Sequence, residues 1–192
     1  MEKGFLKEIL IMKQTVFTFK DLLLLWGGID VVTARKRVNY YVQNGDLYPI
    51  RRGIYGKDKN YDRFELAVKI YTPAYISFET VLGASGITFQ FYGQIFTATY
   101  QTIDITADGQ RIEYKRLKSS LLTNTAGIEM KENYAIASPE RAFLDVIYLY
   151  KEYHFDQLSS IRWEKVYELL PIYGNIQSMI KRVEQYRKGE GK

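Results

Sequence analysis

The chain reads as an α+β protein, with a helical, hairpin-ended head over residues 1–60 and a mixed α/β region over residues 61–192. Three observations predict this. Apolar residues recur at helical spacing three times before residue 44. Two short apolar strands then flank a glycine-containing turn. Beyond residue 61, helical patterns alternate with period-two stretches.

Phe5, Leu6, Ile9 and Leu10 mark the first helix, and the interspersed charges from Met1 to Gln14 make it amphipathic rather than a leader peptide. Thr18 is placed to cap a second helix, Phe19 to Trp26, which Gly27-Gly28 ends. Asp30 caps a third, Val31 to Gln43, which stops at Asn44-Gly45. Leu47 to Ile50 and Ile54 to Gly56 form a hairpin around Arg51-Arg52-Gly53. The polar stretch Lys57 to Asn60 is the expected linker. Helix, helix, tight turn, helix, hairpin is the order of a winged helix-turn-helix.

In the second region, Asp62 to Ile70 is helical in pattern, and Ser77 is a candidate cap for a helix through Leu82. Gln94 to Tyr100 and Arg111 to Leu117 alternate as strands, with Asp108-Gly109 as a turn between them. Ser138-Pro139-Glu140-Arg141 is a strong helix start, running to about Tyr150. Trp163 to Leu170 and Ile176 to Arg187 make two further helices, with a frayed tail from Lys188.

Charge is unevenly placed. Residues 1–60 carry eleven Lys/Arg and six Asp/Glu, residues 61–160 nine and twelve, and residues 161–192 seven and four. A polyanion is therefore sought first at the head. On the third helix, Val31, Ala34, Val38, Tyr41 and Val42 share one face and are the expected core. The opposite face presents Thr33, Lys36, Arg37 and Tyr40, with Arg35 and Asn39 at its margins. Arginine makes bidentate contacts to guanine and asparagine to adenine, while Thr and Tyr hydroxyls suit phosphates. Arg51 and Arg52 at the hairpin tip can reach phosphate or the minor groove. A solvated helix face or a protein-docking module would also use such charges. The coincidence of a basic third helix with an Arg-Arg tip favours double-stranded DNA.

Several chemistries lack their residues. The chain has no cysteine and one histidine, His154, which rules out disulfides, thiolate metal sites and multi-histidine metal sites. The missing cysteines suit a cytoplasmic location. No Gly-x-x-x-x-Gly-Lys-Ser/Thr or Gly-x-Ser-x-Gly motif occurs, and no run reaches the ~18–20 apolar residues of a membrane span. No cofactor, metal site, membrane partner or enzymatic activity is expected. One enzymatic alternative stands: Glu113-Tyr114-Lys115 on a strand, with Asp104 and Asp108 upstream, matches the carboxylate–lysine pair of PD-(D/E)xK nucleases. Glu129-Met130-Lys131, in an expected loop, repeats the triplet without that setting. The basic C-terminal helix, with Lys181, Arg182, Arg187 and Lys188, either adds phosphate contacts or pairs with Glu184.

Leu24-Leu25-Trp26-Gly27, the stretch Arg37 to Val42, the hairpin Leu47 to Tyr55, Tyr75 to Leu82 and Ser138 to Asp145 together resemble AbiEi-type antitoxins. The resemblance covers most of the chain. It implies a transcriptional regulator of a type IV toxin–antitoxin, or abortive-infection, operon. Such a regulator binds inverted repeats in its own promoter as an autorepressor and counteracts a nucleotidyltransferase-like toxin. The resemblance carries DNA-contacting roles to Arg35, Lys36, Arg37, Arg51 and Arg52.

Overall fold

Side-chain caps open several of the helices in the computed structural model, which describes residues 3–90 and 92–189. The expected amphipathic helix is α1 (Lys3–Ile11); Met1 and Glu2 lie outside the described residues, as does the end of the tail beyond Gly189. After β1 (Val16–Thr18), Thr18 and Asp21 exchange side-chain and backbone hydrogen bonds in a capping box that opens α2 (Phe19–Leu25). Asp30 accepts from the N–H groups of Val32 and Thr33 and opens α3 (Val31–Gln43). The hairpin is β2 (Tyr48–Arg51) and β3 (Ile54–Gly56). Its turn is one residue tighter than expected, because Arg51 pairs with Ile54 and a bulge lies between Pro49 and Arg51. Gly53 takes the left-handed conformation that this turn needs, at φ 77°.

The remaining elements are α4 (Arg63–Ile70), β4 (Tyr75–Ile76), α5 (Glu79–Ala84), β5 (Ile95–Thr99), β6 (Ile103–Ala107), β7 (Gln110–Arg116), α6 (Ser119–Leu122), β8 (Ile128–Met130), β9 (Ala135–Ala137), α7 (Pro139–Leu149), α8 (Trp163–Leu169), a 3-10 turn (Leu170–Tyr173) and α9 (Gln177–Lys188). The chain is thus mixed α+β. Strands β1, β3 and β2 form one antiparallel sheet, and β6-β7-β5-β4-β9-β8 form a mixed sheet in which β5 and β7, and β4 and β9, run parallel. The triplet Glu129 to Lys131, expected in a loop, lies in and just after edge strand β8.

Alternation gives the larger sheet two distinct faces. Tyr114 points to α4 and donates to the Ala67 carbonyl at 2.7 Å. Tyr75 and Lys115 point the other way, to Asp145 on α7 and Glu79 on α5. The Ser-Pro-Glu-Arg motif becomes a buried scaffold. Ser138 caps α7, and Glu140 accepts from Arg162 at 2.9 Å. The fully buried Arg141 pairs with Asp145 at 3.3 Å and donates to the carbonyls of Leu121 and Ala126. Asp145 also accepts from the hydroxyls of Tyr75, Ser77 and Tyr173, at 2.9, 2.8 and 2.7 Å. That long-range bond corrects the expected role of Ser77: Phe78, not Ser77, occupies the N-cap of α5, and no side chain caps that helix.

Two apolar clusters form. Ile9, Phe17, Leu22, Trp26, Ala34, Val38, Tyr41 and Leu47 make the smaller one. The larger contains most of the rest and also Val16, Ile50 and Ile54 from the small sheet. Register explains the split: Phe17 pairs with Tyr55 on one face, while Val16 and Ile54 share the other with Tyr48. The stretch 57–60, expected as a linker, is a tight turn. Lys57 N–H extends the ladder to the Thr15 carbonyl at 2.9 Å, its ammonium donates to the carbonyls of Leu10 and Met12, and Asp58 accepts from Asn60 N–H. A Cβ at Gly56 would lie 2.8 Å from the Asp58 carbonyl oxygen, so only glycine fits that approach.

Candidate nucleic-acid interface

Helix α3 buries Ala34, Val38 and Tyr41, leaving Lys36 near the centre of the opposite, exposed arc with Thr33, Asn39 and Tyr40. Tyr40 is 55% exposed. Val42 is half-buried against the smaller cluster, whereas Val31, expected in the core, is 46% exposed at the first position of α3. Arg37 also departs from expectation. It lies at the edge of the arc, half-buried, with its guanidinium carbon 4.4 Å from the centroid of the Phe5 ring. Its Nε is buried without a partner among the described residues. The guanidinium is a packing group against α1 as much as a free cation. A cleft of about 240 Å³ runs between Thr33, Lys36, Arg37, Tyr40 and Tyr41.

At the hairpin tip Arg51 and Arg52 are both exposed. One residue joins this tip to α3. The Phe19 N–H donates to the Gly53 carbonyl at 2.8 Å, and the Phe19 ring lies 5.5 Å beneath the guanidinium of the exposed Arg35. Phe19 thus links the turn that carries Arg52 and Gly53, through its backbone, to Arg35 on α3, through its ring.

No protein-family model and no curated protein matches this chain.

The head is tied to the body by half-buried and exposed polar bonds. Thr15 gives its N–H and its hydroxyl to the Glu65 carboxylate, and its hydroxyl oxygen accepts from Asp62 N–H at 2.8 Å. Burial pushes the Glu65 carboxyl above its ordinary value despite those donors. Lys69 pairs with Asp21 at 2.9 Å. Burial opposes the charge on Asp21, but Lys69 and the Thr18 N–H outweigh it and hold that carboxyl below its usual range. Tyr48 on β2 and Tyr61 both donate to Asp108, each at 2.9 Å. Burial, then Asp108, pushes the Tyr61 hydroxyl up to about 12. Pattern reading misses Phe19 and Glu65, and offers Asp108 only as a turn residue or a metal-binding carboxylate. Phe19 looks like helix filler, and no local signal marks the distant partners of any of the three.

Glu113 and Lys115 do share a sheet face, as expected, but their surroundings are those of a buried ion cluster. Lys115, 5% exposed, binds both Glu79 oxygens at 3.0 and 3.2 Å and lies 3.6 Å from Glu113. Its ammonium is also 4.5 Å from the Phe96 ring centroid. Burial works to lower its pKa, yet Glu79 and the Tyr150 hydroxyl outweigh this and hold it above the usual lysine range. Asp104 lies directly across from Glu113 in the β6–β7 pairing but is paired with Arg111 at 2.8 Å. Asp108 serves the two tyrosines. Among the described residues no group of three or more His, Asp or Glu side chains is arranged to hold a metal ion, and no helix is long and apolar enough to cross a membrane.

His154 is exposed beside Asp156, 3.7 Å away. On α9, Arg182 is directed inward and donates to the Ile147 carbonyl at 2.9 Å, while Arg187 lies 5.3 Å over the Tyr167 ring. Two of the four C-terminal cations are thus engaged by the body.

Proposed function

We propose that the N-terminal elements form a winged helix-turn-helix and that the chain is a DNA-binding transcriptional regulator. The reading puts α3 in the major groove and the β2–β3 tip on the flanking backbone or in the adjacent minor groove. The observation that carries it is the exposed arc of α3, with Lys36 at its centre and Arg35 beside it, together with the exposed Arg51 and Arg52 at a hairpin tip that Phe19 ties back to the start of α2. Lys36, Asn39, Thr33 and Tyr40 then reach base edges and nearby phosphates, and Arg35, Arg51 and Arg52 hold the backbone. Arg37 acts mainly by fixing α3 on α1.

The likeness of the head, Tyr75 to Leu82 and Ser138 to Asp145 to AbiEi-type antitoxins supports a narrower form of this proposal. The chain represses its own operon at inverted repeats and opposes a nucleotidyltransferase-like toxin made from it. The test is binding of the full chain to its own upstream DNA and to unrelated duplex across a salt series. Each phosphate contact is expected to contribute a slope of about −0.9 in log affinity against log salt. A flat salt response, or equal affinity for both duplexes, overturns the proposal.

A further inference from the structure

The exposed arc of α3 carries one side chain that neither charge nor packing explains. Val32, the second residue of the helix, is 63% exposed and belongs to neither apolar cluster. It stands four positions before Lys36 and seven before Asn39, a spacing that sets all three on one stripe. Each of the three is exposed, as is Arg35 beside them. The core of the head is supplied instead by Ala34, Val38 and Tyr41. An aliphatic group thus stands at the N-terminal end of a stripe that is otherwise cationic and amide-bearing.

That end of the helix is closed to phosphate. The exposed Asp30 accepts from the N–H groups of Val32 and Thr33, each at 3.0 Å. Those two donors are spent, and the carboxylate that takes them repels a second anion. The first cations, Arg35 and Lys36, enter only one turn later. When a recognition helix lies in the major groove, its N-terminal residues are the ones that meet base edges. Along those edges the groups are hydrogen-bond donors and acceptors, and the one apolar group is the C5-methyl of thymine. Against a polar edge or a phosphate, an isopropyl group would leave a desolvated polar atom without a partner. Against the methyl, apolar surface leaves water on both sides of the contact.

We propose that Val32 is a specificity-determining residue, which selects thymine in the site that α3 enters by packing its isopropyl group on the C5-methyl. This deepens the DNA-binding reading and rests on it. Lys36, Arg35 and Asn39 then hold the stripe in register while Val32 recognises a group that carries no charge.

The test compares two versions of the chain's own upstream duplex, one with thymine and one with uracil at every thymine position. Uracil pairs with adenine in the same way and lacks only the methyl. The full chain should bind the thymine duplex about three- to fivefold more tightly for each methyl that it buries. On unrelated DNA the same exchange should change affinity little. Val32→Ser should bring the thymine-to-uracil ratio close to one and leave the melting curve with that of the parent, since the position is exposed. Val32→Gln, which keeps a good helix former there, replaces it should the serine variant fail to fold.

Equal affinity of the parent for both upstream duplexes overturns the thymine contact and leaves the DNA-binding reading standing. Upstream DNA bound no better than unrelated DNA overturns both. A ratio undiminished in the variants assigns the preference to duplex shape or to another side chain, and removes it from Val32. Sedimentation of the same proteins without DNA tests the other occupant. A parent oligomer that Val32→Ser dissociates, with the ratio unchanged, would make this valine a contact between copies of the chain and overturn the proposal.

Discussion

Thr15 directs both its backbone N–H and its side-chain hydroxyl to a single oxygen of Glu65, at 2.8 and 2.7 Å. The other carboxylate oxygen is buried without a partner among the described residues. Since burial raises this carboxyl's pKa, folding favours its protonated form. The stability that goes with the proton is complete below the ordinary glutamate range and is lost as pH rises through the raised value. Glu65→Gln keeps an acceptor for Thr15 and removes the charge. It should match or exceed the parent in thermal midpoint at pH 7, with the advantage shrinking toward pH 4. Glu65→Ala, which orphans two donors, should cost about 2–3 kcal/mol at either pH. An advantage of Glu65→Gln that grows on acidification would show that the carboxylate is the favoured form.

The cations of the head should divide by role. Arg37→Ala removes the stack on Phe5 and should lower stability by about 1 kcal/mol. Lys36→Ala, on the exposed arc, should leave the melting curve unchanged and weaken DNA binding. Arg51→Glu with Arg52→Glu should weaken binding to all duplexes and flatten the salt slope. Asn39→Ala should instead erode the preference between duplexes, by about 1–3 kcal/mol for each base that the side chain reads. Fluorescence anisotropy on matched and unrelated DNA separates these outcomes.

Lys115 is an ion-pair partner in a dry setting, and its removal should be felt in the fold. Lys115→Ala leaves Glu79 buried and unpaired, at an expected cost of about 3–5 kcal/mol. Changing Lys115 to Met together with Glu79 to Leu removes both charges and should recover most of that stability. A denaturant titration of the single and double variants measures it; equal destabilisation in both would show that packing, not charge, dominates.

Asp145 should be less tolerant still, because one carboxylate answers Arg141 and three hydroxyls. Asp145→Ala strands a guanidinium that is fully buried, and the full-length chain should lose cooperative thermal unfolding or about 3–5 kcal/mol. Unchanged melting would show that the bonds from Arg141 to backbone carbonyls suffice by themselves.

What the chain's sequence makes legible is its local chemistry. Thr18, Asp30 and Ser138 act within three residues of themselves, and each caps the helix that its position predicts. The buried stripe Ala34, Val38 and Tyr41 likewise follows from spacing alone. Misreadings arise where a distant partner decides. Ser77 has the composition of a cap, yet its hydroxyl goes to Asp145, 68 positions away. Arg37 has the composition of a free cation, yet Phe5 on α1 lies beneath it. Strands β4, β8 and β9, two or three residues each, are too short to display alternation and exist by virtue of their neighbours. The candidate interface is readable as a set of charges; the Phe19 ring beneath Arg35, and the bond from Phe19 to the hairpin turn, are not.

The small sheet that lends one side to each cluster has a consequence for how this protein can be divided or recombined. A fragment ending at residue 60 would bare Val16, Ile50 and Ile54 to water and should self-associate instead of folding as an autonomous reader. Transplanted onto an unrelated partner, the same segment would need an apolar seat of matching contour beneath it. The N-terminal third is therefore not an interchangeable cassette: the exposed arc of α3 can change without disturbing the packing beneath it, but the underside of the small sheet must change in step with the rest of the chain.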